Sequence, residues 1–179
     1  MPNDRGFTME EVLSRRFPPL PAQLASDLDK VPPSDDRGLL YYPCVVTLRD
    51  GSSRDFVYLA ESRRWLRSWG PSFHSEPLGG RLIDVRDVIA LKESLNRLPP
   101  VFANKLYEAG ESGMGYTIFT VCFDDGSAVI YGTGNAVDFV RYPMGMSAGN
   151  VTNILPHEGR NEPGIRRTPD YCWCIFERP

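Results

Sequence analysis

Histidine is scarce in this chain, with two, His74 and His157, among 179 residues. Long hydrophobic runs are missing as well: Val101-Phe102-Ala103 is typical, and a membrane-spanning helix needs about 20 apolar residues. Nor is there an excess of positive charge. Twenty Lys and Arg against 23 Asp and Glu give a net charge of −3, which argues against a general electrostatic grip on nucleic acid or an anionic membrane. The opening MPNDRGFTMEEV lacks the apolar stretch of an export signal, so a cytoplasmic location with reduced thiols is expected. The chain carries no Gly-x-Ser-x-Gly elbow, no Gly-x-Gly-x-x-Gly order and no close Cys-x-x-Cys pair. No cofactor and no metal are therefore expected, and the sequence by itself assigns no activity.

What is present is turn chemistry. Sixteen glycines and sixteen prolines predict many short elements. The stretch from Gly115 to Val140 reads as the hub, two strands bent at Asp125-Gly126. Phe119, Val121 and Phe123 alternate with Thr120, Cys122 and Asp124, and Ala128 and Ile130 alternate with Val129 and Tyr131. A two-residue type I′ turn would set Val121 opposite Ile130 and Phe123 opposite Ala128. Both faces are apolar enough to predict a central hairpin covered on both sides. Residues 44–56 laid over 119–131 share Val, Asp, Gly and Ser at four of thirteen positions. A first hairpin, Tyr41–Leu48 with Phe56–Leu59, is therefore expected around Asp50-Gly51, with a two- or four-residue loop. Each hairpin is followed by a β-branched segment, Ile83–Leu91 and Val151–Leu155.

Helices are predicted at the flanks. Thr8 and Glu11 have capping-box spacing ahead of Val12, Leu13 and Phe17. A second helix starts at Pro21 with the stripe Leu20, Leu24, Leu28, Val31, so it docks on the body or on a neighbouring subunit. Ser62 caps SRRWLRSW, which ends at Gly70-Pro71, and Pro100 opens the clearest helix, 100–109, closed by Gly110. Tyr171–Phe176, apolar on both faces, predicts a closing strand inserted centrally in a sheet. The fold expected is α+β, mainly antiparallel, built on two Asp-Gly hairpins as two small barrel-like lobes with flanking helices. Within one compact unit it comprises an arm (1–38), a first lobe (39–98) and a helix plus second lobe (99–179). Strand, Asp-Gly, strand and then Asp84-Val85-x-x-x-x-Ala90-Leu91 resembles small SH3-like barrels over about residues 43–92, which implies closure of the first lobe.

Candidate sites are few. His157 beside Glu158 offers a general base, with Arg160 and His74 as candidate ligand contacts; a loop histidine bonded to a turn is the plainer reading. Cys44, Cys122, Cys172 and Cys174 read as core packing rather than zinc ligands. In SRRWLRSW the helical wheel sends Trp65, Leu66 and Trp69 inward and leaves Arg63, Arg64 and Arg67 as a solvated face for an acidic partner. GESGMG (110–115) and GTG (132–134) read as turns, with Gly115 and Gly134 the amides to watch for a ligand. The expected function is a non-catalytic, intracellular protein-interaction module with a protein partner or a second copy of itself. The alternative is a small enzyme or ligand binder around the His157 loop.

Overall fold

The computed structural model describes residues 17–70, 81–158 and 164–178. Nearly all of the Thr8–Phe17 segment, together with His74 and Arg160, lies outside them. The chain is α+β: two mixed sheets and, among the described residues, three short helices. The elements are α1 (Ala22–Leu28), β1 (Ser34–Asp36), β2 (Leu39–Leu48), β3 (Ser53–Glu61), α2 (Ser62–Trp69), β4 (Val88–Glu93), α3 (Pro100–Ala109), β5 (Thr117–Phe123), β6 (Ala128–Thr133), β7 (Val151–Pro156), β8 (Arg166–Arg167) and β9 (Cys172–Phe176). Neither sheet closes into a barrel. The first runs β1-β2-β3-β9 with β4 also on β2, and the second runs β7-β5-β6-β8. Two pairings, β3 with β9 and β6 with β8, are parallel.

The two sheets use one pairing scheme. In both, a central antiparallel pair is flanked by an antiparallel strand on one side and a parallel one on the other. Val46 faces Leu91 as Val121 faces Ile154, and a register shift falls between Thr47 and Leu48 as it does between Cys122 and Phe123. The turns also agree. Leu48 N–H donates to Ser52 C=O at 2.8 Å, and Phe123 N–H to Ser127 C=O at 2.9 Å. Asp50 and Asp125 each accept from the serine N–H two residues on at 2.8 Å.

These turns correct the predicted register. Each loop holds three residues, 49–51 and 124–126, with the glycine third at φ +83°, the pattern of a type I turn followed by a left-handed residue. Val121 therefore faces Val129, and Thr120 faces Ile130. A one-residue slip exchanges sheet faces, so Phe119, Val121, Phe123 and Tyr131 share the core while Cys122 and Ile130 are half-buried and Ala128 is exposed. The second sheet thus packs one face into the shared core, with Ile118 buried on the other, and it is the first that carries a core on each face. Tyr58, Ala60, Trp173 and Ile175 enter the core shared with the second sheet. Val57, Leu59, Cys174 and Phe176 enter a smaller core containing Leu24, Leu28 and Val31 of the α1 region, whose stripe thus docks on this chain's own body. The apolar run of β9 is explained by this sandwich, although the strand stands at the end of the sheet path.

Left-handed geometry makes glycine a requirement at both turns, since a Cβ there costs about 1–2 kcal/mol. A methyl group at Gly51 or Gly126 would meet nothing within 4 Å, so strain alone sets the cost. Gly51→Ala and Gly126→Ala are each expected to lose about 1 kcal/mol in urea denaturation, the two agreeing closely. A clear inequality would show that the turns are not equivalent.

Candidate functional site

The sequence-predicted residues that are described do not form one site. His157 follows β7; its N–H donates to Ile118 C=O at 2.9 Å, and its Nε2 lies 2.6 Å from Thr120 Oγ1 on β5. Glu158 is exposed beside it. On α2, Trp65 and Leu66 are buried and Arg63 and Arg67 exposed, while Arg64 reaches back to donate to Gly38 C=O. The cap of α2 is Glu61, which accepts from Arg63 N–H at 3.0 Å and Arg64 N–H at 3.1 Å, rather than Ser62. All four cysteines are free thiols, and burial pushes those of Cys44, Cys172 and Cys174 up, the last to about 12. Among the described residues no three His, Cys, Asp or Glu side chains are placed to hold a metal.

A cleft of about 610 Å³ instead opens where the carboxyl ends of α2 and α3 converge on the β1–β2 turn. Ser68 and Trp69 come from α2, Tyr107 from α3, Gly110 and Glu111 from just beyond it, and Asp36 and Arg37 from the turn. Local chemistry builds that turn. Arg37 and Gly38 both take positive φ, +52° and +93°, as a two-residue type I′ turn demands. Asp35 Oδ1 accepts from Gly38 N–H at 2.6 Å, and Asn104 Oδ1 of α3 accepts from Asp35 N–H at 2.9 Å. With Arg64 on Gly38, both helices clamp the turn. A non-glycine residue held left-handed beside a cleft is strain of the kind that marks functional positions.

Asp36 is half-buried at the cleft wall. Burial pushes its carboxyl above the usual range, against the pull of the Tyr41 hydroxyl, which donates at 3.3 Å, and of Arg37. Trp69 Nε1–H donates to Tyr41 Oη at 2.8 Å, fixing the hydroxyl. Behind the wall Tyr107 Oη donates to Asp138 Oδ2 at 2.6 Å. Asp138 is fully buried and also accepts from Ser34 Oγ. Arg97, 2% exposed, sits 3.5 Å from that carboxylate and donates to Ser34 Oγ at 2.7 Å. Burial pushes the Asp138 carboxyl up, opposed by Arg97 and by the hydroxyls of Ser34, Tyr107 and Tyr58, and its negative charge helps raise Asp36 in turn.

The cleft favours positive charge. Two helix carboxyl ends present partial negative charge, and Asp36 and Glu111 add carboxylates against one exposed guanidinium. Trp69, half-buried at the wall, supplies aromatic surface for a cation. None of this is among the expectations from the sequence, which place residues 32–38 within the 1–38 arm. The signal that could have found it is Asp-Arg-Gly ahead of an alternating strand, a hairpin turn in its own right. The chain matches no protein-family model, and no match was found among curated proteins or solved structures.

Proposed function

We propose that the protein is a non-catalytic, intracellular interaction module that receives a basic side chain of a partner protein in the Asp36 cleft. The observation that carries the reading is the meeting of two helix carboxyl ends with Asp36 and Glu111 around one opening. The exposed pair Arg63 and Arg67 offers a separate, weaker contact for an acidic stretch of the same partner. The shared pairing scheme of the two sheets supports descent from one duplicated unit, of which only the first copy is preceded by the β1–β2 turn that builds the cleft.

A hexa-arginine peptide titrated into the full chain tests the reading. Saturable change in tryptophan fluorescence is expected, reporting Trp69 at the cleft wall. Asp36→Asn should weaken binding by about tenfold, the loss of one charge-assisted contact. Because burial raises the Asp36 carboxyl, wild-type affinity should climb as pH rises through its titration, and the Asp36→Asn variant should lack that climb. Equal binding by both proteins rejects the cleft. The alternative of a small enzyme draws support from the 2.6 Å approach of His157 Nε2 to Thr120 Oγ1, within the range of a base and its nucleophile. His157→Ala separates the two readings, since peptide binding survives it under the first.

A further inference from the structure

A second cleft, of about 560 Å³, lies beside the carboxyl end of β6, where the segment through β8 to Tyr171 runs back along the second sheet. The two glycine-bearing passages of the sequence meet there, Gly115 from one and Gly132 and Gly134 from the other. Two of these glycines have structural reasons. Gly115 holds φ +79°, and a Cβ at Gly132 would stand 2.8 Å from Ile165 Cγ2. Gly134 has neither: its φ is not left-handed, and a Cβ would meet nothing within 4 Å. The fold does not demand glycine at 134, yet its absent side chain leaves main chain bare at the cleft wall, as close approach of a ligand requires.

The same cleft carries two guanidinium groups. Arg81 leans on Asp170 at 3.7 Å, but their side chains are 53% and 98% exposed, and an exposed pair of this kind holds loosely. Arg167 makes no ion pair among the described residues. Tyr116 and Tyr171 add aromatic surface. We propose that this cleft binds a nucleoside monophosphate, its phosphate taken by Arg167 and Arg81, its base laid on Tyr116, and its backbone contact made at Gly134. The site is distinct from the Asp36 cleft, shares none of its lining residues and has the opposite preference in charge.

Titration of the full chain with AMP, adenosine and inorganic phosphate in separate arms, followed by amide NMR shifts, tests the assignment. AMP should saturate, with shifts at Gly115, Gly134 and Thr168, and adenosine and phosphate alone should each bind at least about tenfold more weakly, since each makes only part of the contact. Arg167 is exposed, so Arg167→Gln keeps the fold and should weaken AMP by about tenfold or more. Gly134→Ala should weaken it too, while Arg166→Gln, adjacent in sequence but outside the cleft, should stay within about twofold. No shifts at millimolar AMP, phosphate or adenosine binding as tightly as AMP, an Arg167→Gln variant that binds normally, or equal losses in the two arginine variants would each overturn the proposal.

Discussion

Trp173→Ala is expected to be the most damaging single substitution in the protein. The ring is 1% exposed and stands on β9 where that strand joins β3, so its position depends on a pairing between distant parts of the chain. Tyr58 and Trp69 lie 5.0 Å away centroid to centroid, Tyr41 and Trp65 5.5 Å, and Tyr171 5.6 Å. Truncating a buried tryptophan costs about 3–5 kcal/mol through lost transfer energy and the cavity left behind, and tilted or edge-on ring pairs add to that. Five surrounding rings, fixed on β2, β3 and α2 or next to β9, cannot collapse into the hole together. For a domain of this size each kcal/mol lowers Tm by about 2–4 °C, so a fall of roughly 10 °C or more is expected by calorimetry. Trp173→Phe should recover much of it. A Trp173→Ala variant melting within about 3 °C of wild type would mean that the aromatic cluster does not hold the sheet to its helices.

The same tryptophan marks the limit of what the residues disclose in order along the chain. Helices α2 and α3 were legible because their signals are local: Pro100 and Gly110 bound α3, and Gly70 ends α2. Strand existence was legible from alternation, but register was not. Asp124 and Asp125 both precede Gly126, and alternation cannot decide whether the loop begins at the first or the second. Pairing β9 with β3 in parallel joins Val57 to Cys172, a contact that no local pattern encodes. Doubly apolar runs such as YCWCIF did point to a strand covered on two faces, and the sandwiching of the first sheet by two cores is the reason.

The site was least legible, for a physical reason as well. A buried ion pair is assembled from residues that look ordinary one at a time, Arg97 between β4 and α3, Ser34 on β1 and Asp138 between β6 and β7. Asp138 did carry a trace, being the single charge inside Ala136-Val137-Asp138-Phe139-Val140, all five of which are buried. An acid surrounded by apolar neighbours and inside the core must find partners. The partners lie 41 residues back at Arg97 and 104 back at Ser34, so the chain had to fold before they could be named.

Arg97→Met should therefore cost stability in a manner that depends on pH. Arg97 donates through Nε to Leu98 C=O at 2.9 Å, through Nη1 to Pro32 C=O and through Nη2 to Ser34, besides facing Asp138. Removing it strands a buried carboxylate, an event that costs about 3–5 kcal/mol. The carboxyl escapes part of that cost by keeping its proton. Burial already holds Asp138 above its ordinary value of 3.8, and losing the guanidinium raises it further. A carboxyl raised in the folded state contributes stability below its unfolded value and loses it as pH climbs through the folded one. The deficit of Arg97→Met relative to wild type should thus be smaller near pH 5, where it reflects the lost carbonyl and Ser34 contacts, and larger near pH 8, read as the urea midpoint at each pH. Adding Asp138→Asn removes the charge that titrates, keeps an acceptor for a neighbouring hydroxyl, and should restore at least half of the pH 8 deficit while flattening its dependence on pH. Additive losses in the double variant, or equal losses at the two pH values, would show that Arg97 acts through its carbonyl contacts alone and that its charge does nothing for Asp138.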